Sequence, residues 1–276
     1  MIKLFKRSPL SARIGMLVIA VNLFVCIAAP LIAPYGETEI IGEIWESVGA
    51  PNSILGTDHL GRDLFTRMVY GARNTVFLAI GITALAFFLG IFFAFLAAVL
   101  GGWVNQLLSR SVDILMAFPT LIFALVVLSV MGTSVPSLVF VLMIPAATRV
   151  YRLARALAMN INVLDYVEVA RIRGEGIFWI IYREILPNTL SPLAAEFGLR
   201  FCFVFLFISS LSFLGLGLQP PTADWGGMVR ENAGAITYGI MVPLIPAAAI
   251  AQLTVGINLV VDWFLHESAG RVPEEI

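Results

Sequence analysis

Few residues in this chain have the type and spacing to do covalent chemistry. The two lysines, Lys3 and Lys6, follow no glycine-rich loop, so there is no Walker-type cradle for the phosphates of a nucleotide. The two histidines, His59 and His266, fall in segments expected on opposite sides of a membrane, which predicts no His-containing metal cluster and no Ser-His-Asp arrangement at one site. Ser209-Ser210 and Ser134/Ser137 read as small residues in or beside apolar spans, not as nucleophiles. Cys26 and Cys202 lie inside apolar runs and behave as small buried hydrophobes. The chain is therefore expected to be no enzyme and to bind no metal or cofactor itself. What polar chemistry it has is non-covalent. Glu196 and Arg200, spaced i, i+4, share one helix face and can pair in apolar surroundings, as a structural or gating pair or as a substrate contact. Gly215-Leu216-Gly217-Leu218-Gln219-Pro220-Pro221 should break a helix and Asp224-Trp225-Gly226-Gly227 restart it. Gly215, Gly217 and Trp225 are thus candidates for an outer gate or a protein contact, with a plain exposed connection as the alternative.

The elements that must position these residues are membrane helices. Of 276 residues 59% are hydrophobic and only 13% charged, against about 25% charged in a soluble domain. The mean hydropathy is +0.94. A formal net charge of −1 offers no basic surplus for nucleic acid. The fold class expected is all-α, a polytopic membrane protein with six transmembrane helices at about 14–33, 75–100, 114–130, 137–147, 190–214 and 240–265, since about 20 residues cross a bilayer. The first run is too long for a secretory core and stops at Pro34-Tyr35-Gly36, so it reads as a retained helix. The fourth carries Pro136 and Pro145 and is expected to continue helically through Arg149. One membrane domain, 14–265, then lies between an N-terminal segment, 1–13, and a tail, 266–276.

Cationic loops resist translocation, so their placement sets orientation. With the N-terminus inside, 12 lysines and arginines fall on inner segments: Lys3, Lys6, Arg7, Arg13, Arg110, Arg149, Arg152, Arg155, Arg171, Arg173, Arg183 and Arg271. Four fall outside, Arg62, Arg67, Arg73 and Arg230, while Arg200 lies within the fifth span. Both termini are accordingly expected in the cytoplasm. The first outer loop, about 34–74, is acidic, with Glu37, Glu39, Glu43, Glu46, Asp58 and Asp63, and Arg62 to Tyr70 has the spacing of a short helix leading into the second span.

The inner loop at about 149–188 is the most informative segment. Leu153, Leu157 and Ile161 recur at i, i+4, i+8, and after Asp165-Tyr166 a second pattern runs through Val167 and Ala170 to the helix-breaking Gly174. Two short helices at an angle follow from that break. Ile177-Phe178-Trp179-Ile180-Ile181-Tyr182 suits the membrane interface until Leu186-Pro187 starts the next span. Such a loop could present a knob to a soluble partner.

Glu168-Val169-Ala170, with Gly174 six residues after the Glu and Leu186-Pro187 eighteen and nineteen after it, resembles the EAA coupling loop of ABC importer permeases. Leu55-Gly56-Thr57-Asp58-His59-Leu60-Gly61-Arg62-Asp63, Phe213 to Pro221 with Asp224-Trp225-Gly226, and Asp113 to Pro119 are similar to the dipeptide/oligopeptide/nickel subfamily, most like its DppC/OppC type. The chain departs from the pattern at Val169, Arg173 and Glu184, and after Asp262, where Trp263-Phe264-Leu265-His266-Glu267-Ser268 replaces the usual tail. The resemblance implies a bacterial or archaeal inner-membrane subunit that forms a translocation path with a second, homologous permease and works by alternating access. It implies two ATP-binding subunits holding ATP and Mg, an extracytoplasmic substrate-binding protein that the outer loop and the Gly215–Trp225 segment would meet, and surrounding membrane lipid. Asp165, Glu168, Ala170, Gly174, Leu186 and Pro187 become coupling residues, Glu168 as a polar contact or helix-end cap and Gly174 as the sharp turn. Peptides are the first substrate class implied, with nickel chelates, opines and oligosaccharides also carried by such permeases. The rival reading, a stand-alone channel for small solutes, gives no reason for the knob.

Overall fold

The computed structural model describes residues 8–269. Lys3, Lys6, Arg7, Arg271 and the end of the expected tail lie outside the described residues. Within them the chain is helical, with two isolated antiparallel bridges, Ile40 to Arg62 and Thr57 to Asp63, in the long first loop.

Helix α1 (Leu10–Ile32) rises from Pro9 and carries Pro30 in its last turn. Helix α2 (Leu64–Leu100) starts well before the expected residue 75, because Asp63 caps it by accepting from the Thr66 amide at 2.7 Å. The short helix expected at 62–70 is simply its first turns. Two helices, α3 (Gly102–Met116) and α4 (Thr120–Met131), meet at an 84° bend. The third span expected at 114–130 is thus not one unbroken helix but is bent between Met116 and Thr120. Pro119 has no amide hydrogen and pushes Phe118 away from helical geometry, so the chain must turn there. Helix α5 (Val135–Asn162) is capped by Ser134, whose Oγ accepts from the Ser137 amide at 3.3 Å, and runs fifteen residues past the expected end at Ala147. Leu153, Leu157 and Ile161 thus belong to the fourth long helix and not to a separate loop helix.

A short helix, α6 (Asp165–Ile172), follows. Helix α7 (Ile177–Phe213) is continuous through Leu186-Pro187, where the sequence predicts the start of a span. A π turn at Ile181–Ile185, in which the Leu186 amide bonds back to the Ile181 carbonyl, widens the helix just ahead of Pro187. That widening relieves the clash a proline ring makes with the preceding turn. Helix α8 (Trp225–Glu231), a 3₁₀ turn (Ala233–Tyr238) and helix α9 (Leu244–Ala269) complete the described chain.

Five helices are long and apolar enough to cross a membrane, six if the bent α3/α4 pair counts as one span. Large apolar side chains face outward, Leu31 at 90% and Val130 at 83% exposure, while small and hydroxyl residues such as Ala12, Ala29, Thr75 and Thr83 are fully buried. This is the distribution of a molecule whose solvent is hydrocarbon, where helices approach through small residues. Helices α2 and α5 pack along much of their lengths and form the spine. One apolar core gathers Leu64, Ile82, Leu128, Phe205, Leu211 and Trp225. A second, towards the other end, gathers Phe95, Val150, Tyr151, Ala154, Val167 and Ile185. The loop at 33–63 and the segment at 214–243 meet at the first end, and α6 stands at the second.

Candidate functional site: a helical knob, a buried ion-pair network and an ion pair within the spans

Helix α6 is eight residues long and rests on two fully buried side chains, Val167 and Ala170, of which Val167 joins the second core. Around them Asp165, Tyr166, Glu168, Val169, Ile172 and Arg173 are exposed, as are Val163 and Leu164 just before the helix. Asp165 and Glu168 in the first turn and Arg171 in the last complement the helix dipole. Arg171 Nη2 donates to Asn162 Oδ1 at 2.6 Å, tying the knob to the end of α5. The Glu175 amide bonds to the Ala170 carbonyl at 3.1 Å, and Gly174 takes φ +82°, a left-handed C-terminal stop that favours glycine. Of the expected coupling residues, Asp165, Glu168 and Gly174 face outward, Ala170 is an anchor inside the chain, and Leu186 and Pro187 lie within α7, a turn or more beyond the knob.

At the opposite end a network of charges is buried. Asp58 Oδ2 accepts from Arg62 Nε at 2.7 Å and lies 3.3 Å from Arg67 Nε. Its Oδ1 accepts from the amides of Leu60 and Arg62 at 2.8 and 3.0 Å. Glu231, from α8, accepts from Arg62 Nη2 at 3.1 Å and Arg67 Nη2 at 2.9 Å. Asn232 accepts from Trp45 Nε1 and from the His59 amide at 3.2 and 3.0 Å. Two guanidinium groups and two carboxylates thus key the first loop and the start of α2 to α8. His59 Nδ1 stands 3.9 Å from Asp58 and 3.8 Å from Glu231. Burial pulls the pKa of this imidazole down, outweighing the upward pull of the two carboxylates, and the two arginines act in the same direction as burial.

The sequence reading expected no histidine to stand in a potential metal cluster, yet Asp58, His59 and Glu231 bring ligand-type atoms within 4.8 Å of one another. The carboxylates are already matched by Arg62 and Arg67, and these cations would repel a metal ion. The acidic first loop turns only part of its charge inward, leaving Glu39 and Glu43 exposed. Glu37 accepts from the Ala223 amide, Glu39 from the Gly36 amide, and Glu46 from the Glu43 amide, while Asp58 and Asp63 are buried. Sequence reasoning missed Glu231, Asn232 and the buried role of Arg67, since α8 meets the first loop and the start of α2 only across more than 150 residues.

The glycine-rich turn follows α7. Gly215 takes φ +85° and Gly217 is buried, and their carbonyls accept from Gln219 Nε2 at 3.2 and 2.9 Å. Trp225 is only 2% exposed, donates from Nε1 to the Met68 carbonyl at 3.0 Å and packs edge-on against Phe205. Its side chain is therefore a clamp between α2, α7 and α8, not a surface for another protein. Gly226 sits against the Ser209 carbonyl so closely that a Cβ there would come within 2.2 Å of the oxygen. Burial pushes the carboxyl of Asp224 up, against the opposing effect of the Gly227 amide and the Ser212 hydroxyl. Within the spans, Arg200 Nε lies 2.6 Å from Glu196 Oε1.

Residues 86–272 match the family model described as binding-protein-dependent transport system inner membrane component. The chain belongs to that family. This inner membrane component is similar to the dipeptide transport system permease protein DppC of Haemophilus influenzae, 32% identical with 91% of this chain and 87% of the relative covered. It is likewise similar to DppC of Escherichia coli, 33% identical over 94% and 88%. The glutathione transport system permease protein GsiD of Pectobacterium atrosepticum is 33% identical over 75% and 69%. The component is a multi-pass protein of the bacterial inner membrane and a permease subunit of an ABC importer, in agreement with the resemblance read from its motifs.

Proposed function

We propose that this permease carries di- or oligopeptides, in a complex with a second homologous permease, two ATP-binding subunits and an extracytoplasmic binding protein. The single observation that carries the coupling role is α6. It is a stiff eight-residue helix with Val167 and Ala170 anchored in the body of the protein and Tyr166, Glu168, Val169 and Ile172 left uncovered between the ends of α5 and α7. Uncovered apolar groups beside a carboxylate at a helix start suit insertion into a groove on a soluble subunit. Both termini then face the cytoplasm with α6, and the charge network faces the outside. The permease binds no nucleotide itself; ATP and Mg sit on the partner subunits. Closure of the ATPase pair moves α6, and α5 and α7, attached directly at its two ends, carry the motion into the spans. Peptide is the cargo supported by the relatives, whose names are dipeptide, di/tripeptide and glutathione transport permeases.

The test is to tag the N-terminus, extract native membranes in mild detergent and identify stoichiometric partners by mass spectrometry. Two ATP-binding subunits with one different permease are expected, and a bound extracytoplasmic protein would hand over the peptide for identification. Recovery of the chain alone or as a homo-oligomer, even after crosslinking, would overturn the proposal.

A further inference from the structure

Two arginines, Arg149 of α5 and Arg200 of α7, line one otherwise largely apolar cavity within the spans. Arg149 and Arg200 approach one aromatic ring: their guanidinium carbons stand 5.9 and 4.8 Å from the centroid of Phe203, itself 51% exposed. Arg149 is fourteen residues from the start of α5 and Arg200 thirteen from the end of α7, so both lie about 20 Å in from the outer end at about 1.5 Å per residue. The two cations therefore share a level well inside a hydrocarbon core of about 30 Å. A cavity of about 170 Å³ opens between them, walled by Leu142, Pro145, Phe203 and Phe207 and closed at one side by Thr120. Thr120 is the first residue of α4, whose start is created by the 84° break and has no side-chain cap. The first amides of a helix have no partner within it, and Thr120 places this positive helix end beside the cavity.

The charges do not balance there. Glu196 neutralises Arg200, while Arg149 is exposed and has no carboxylate partner among the described residues. An arginine at this depth must face water, protein or cargo. We infer that Arg149, Arg200 and the start of α4 form a subsite for the C-terminal carboxylate of a peptide crossing the membrane. The inference rests on the reading of this chain as a peptide permease. It names the one anionic group that every free peptide carries whatever its side chains, which a carrier tolerant of sequence has to accommodate. Two guanidinium groups braced by a ring, a hydroxyl and an amide-rich helix start are suited to a carboxylate. Phe203 stands against both arginines beside the cavity, and with Arg200 paired to Glu196 the net positive charge offered to the incoming group is that of Arg149.

The experiment uses the complete transporter with its binding protein in proteoliposomes, comparing ATP-driven uptake of trialanine with that of trialanine amide. The binding protein sees the same peptide whichever permease is present, so the variant-to-wild-type ratio for each peptide reports on the permease. Arg149→Gln is expected to cut trialanine uptake about tenfold or more and the amide by less than about twofold, the loss of a charge-assisted contact. Arg149→Lys should recover most of the trialanine rate. Equal losses for both peptides would mean that Arg149 supports packing or the second permease and would overturn the subsite, as would no loss for either. A loss seen in vesicles containing phosphatidylglycerol and absent in pure phosphatidylcholine would assign Arg149 to a lipid headgroup and overturn it too. Wild-type transporter that moves neither peptide while moving another solute would instead overturn the peptide reading itself.

Discussion

Arg67 holds a charge with 1% of its side chain exposed, against Asp58, which is wholly buried, and Glu231 at 17%. Such a group is tolerable only while every partner stays in place. Arg67→Met keeps the length of the stem and strands two carboxylates with one remaining guanidinium, Arg62. Breaking a buried pair from one side costs about 3–5 kcal/mol. The purified protein should therefore lose about 10 °C of thermal midpoint, followed by intrinsic tryptophan fluorescence in detergent; an unchanged midpoint would show that the network contributes nothing to stability. None of this could be read from the chain alone. Arg62 and Arg67 look like ordinary loop cations until α8, more than 160 residues later, supplies Glu231. Glu196 and Arg200 were legible as a pair because helical spacing alone brings them together. Arg149, with no carboxylate at helical spacing, reads in the sequence as one more cation of the inner loop.

At the scale of the element, Gly174 is where backbone conformation bears on the proposed coupling. Nothing stands within 4 Å of the position a Cβ would take, so a larger residue there meets only the backbone penalty of φ +82°. That penalty is about 1–2 kcal/mol, too little to prevent folding and enough to re-aim α6. Gly174→Leu should insert and assemble normally, by blue-native electrophoresis of the complex, yet lose ATP-coupled uptake. Normal uptake by that variant would remove α6 from the coupling path. The existence of the long helices was plain from hydropathy, and their ends were not. Helix α2 begins early because a capped, hydrogen-bonded loop feeds it. Helix α5 overruns because its amphipathic second half packs on α2. Helix α7 passes straight through a proline that a π turn accommodates. The third span breaks at Phe118-Pro119, a signal present in the sequence but outweighed by the apolar residues on either side.

The whole molecule has two ends of different character, joined by a body covered in apolar side chains. One end carries a folded, internally satisfied loop, and the other a knob with uncovered apolar groups. Val48 at 67% and Val163 at 79% exposure mark these ends, while the native thiols Cys26 and Cys202 are buried. In intact spheroplasts a membrane-impermeant maleimide should label Val48→Cys and leave Val163→Cys untouched until the membrane is opened. The reverse pattern would invert the assignment of sides. The length of α7 then takes on a mechanical meaning. Its 37 residues make a rod of about 55 Å at about 1.5 Å per residue, with no loop between its two ends. Tilting such a rod by about 10° around its middle swings each end sideways by about 5 Å, close to the pitch of one helical turn. A push delivered beside α6 would then arrive at the Gly215–Pro221 turn undiminished and reversed in direction, as on a rocker, with Arg200 close to the fulcrum.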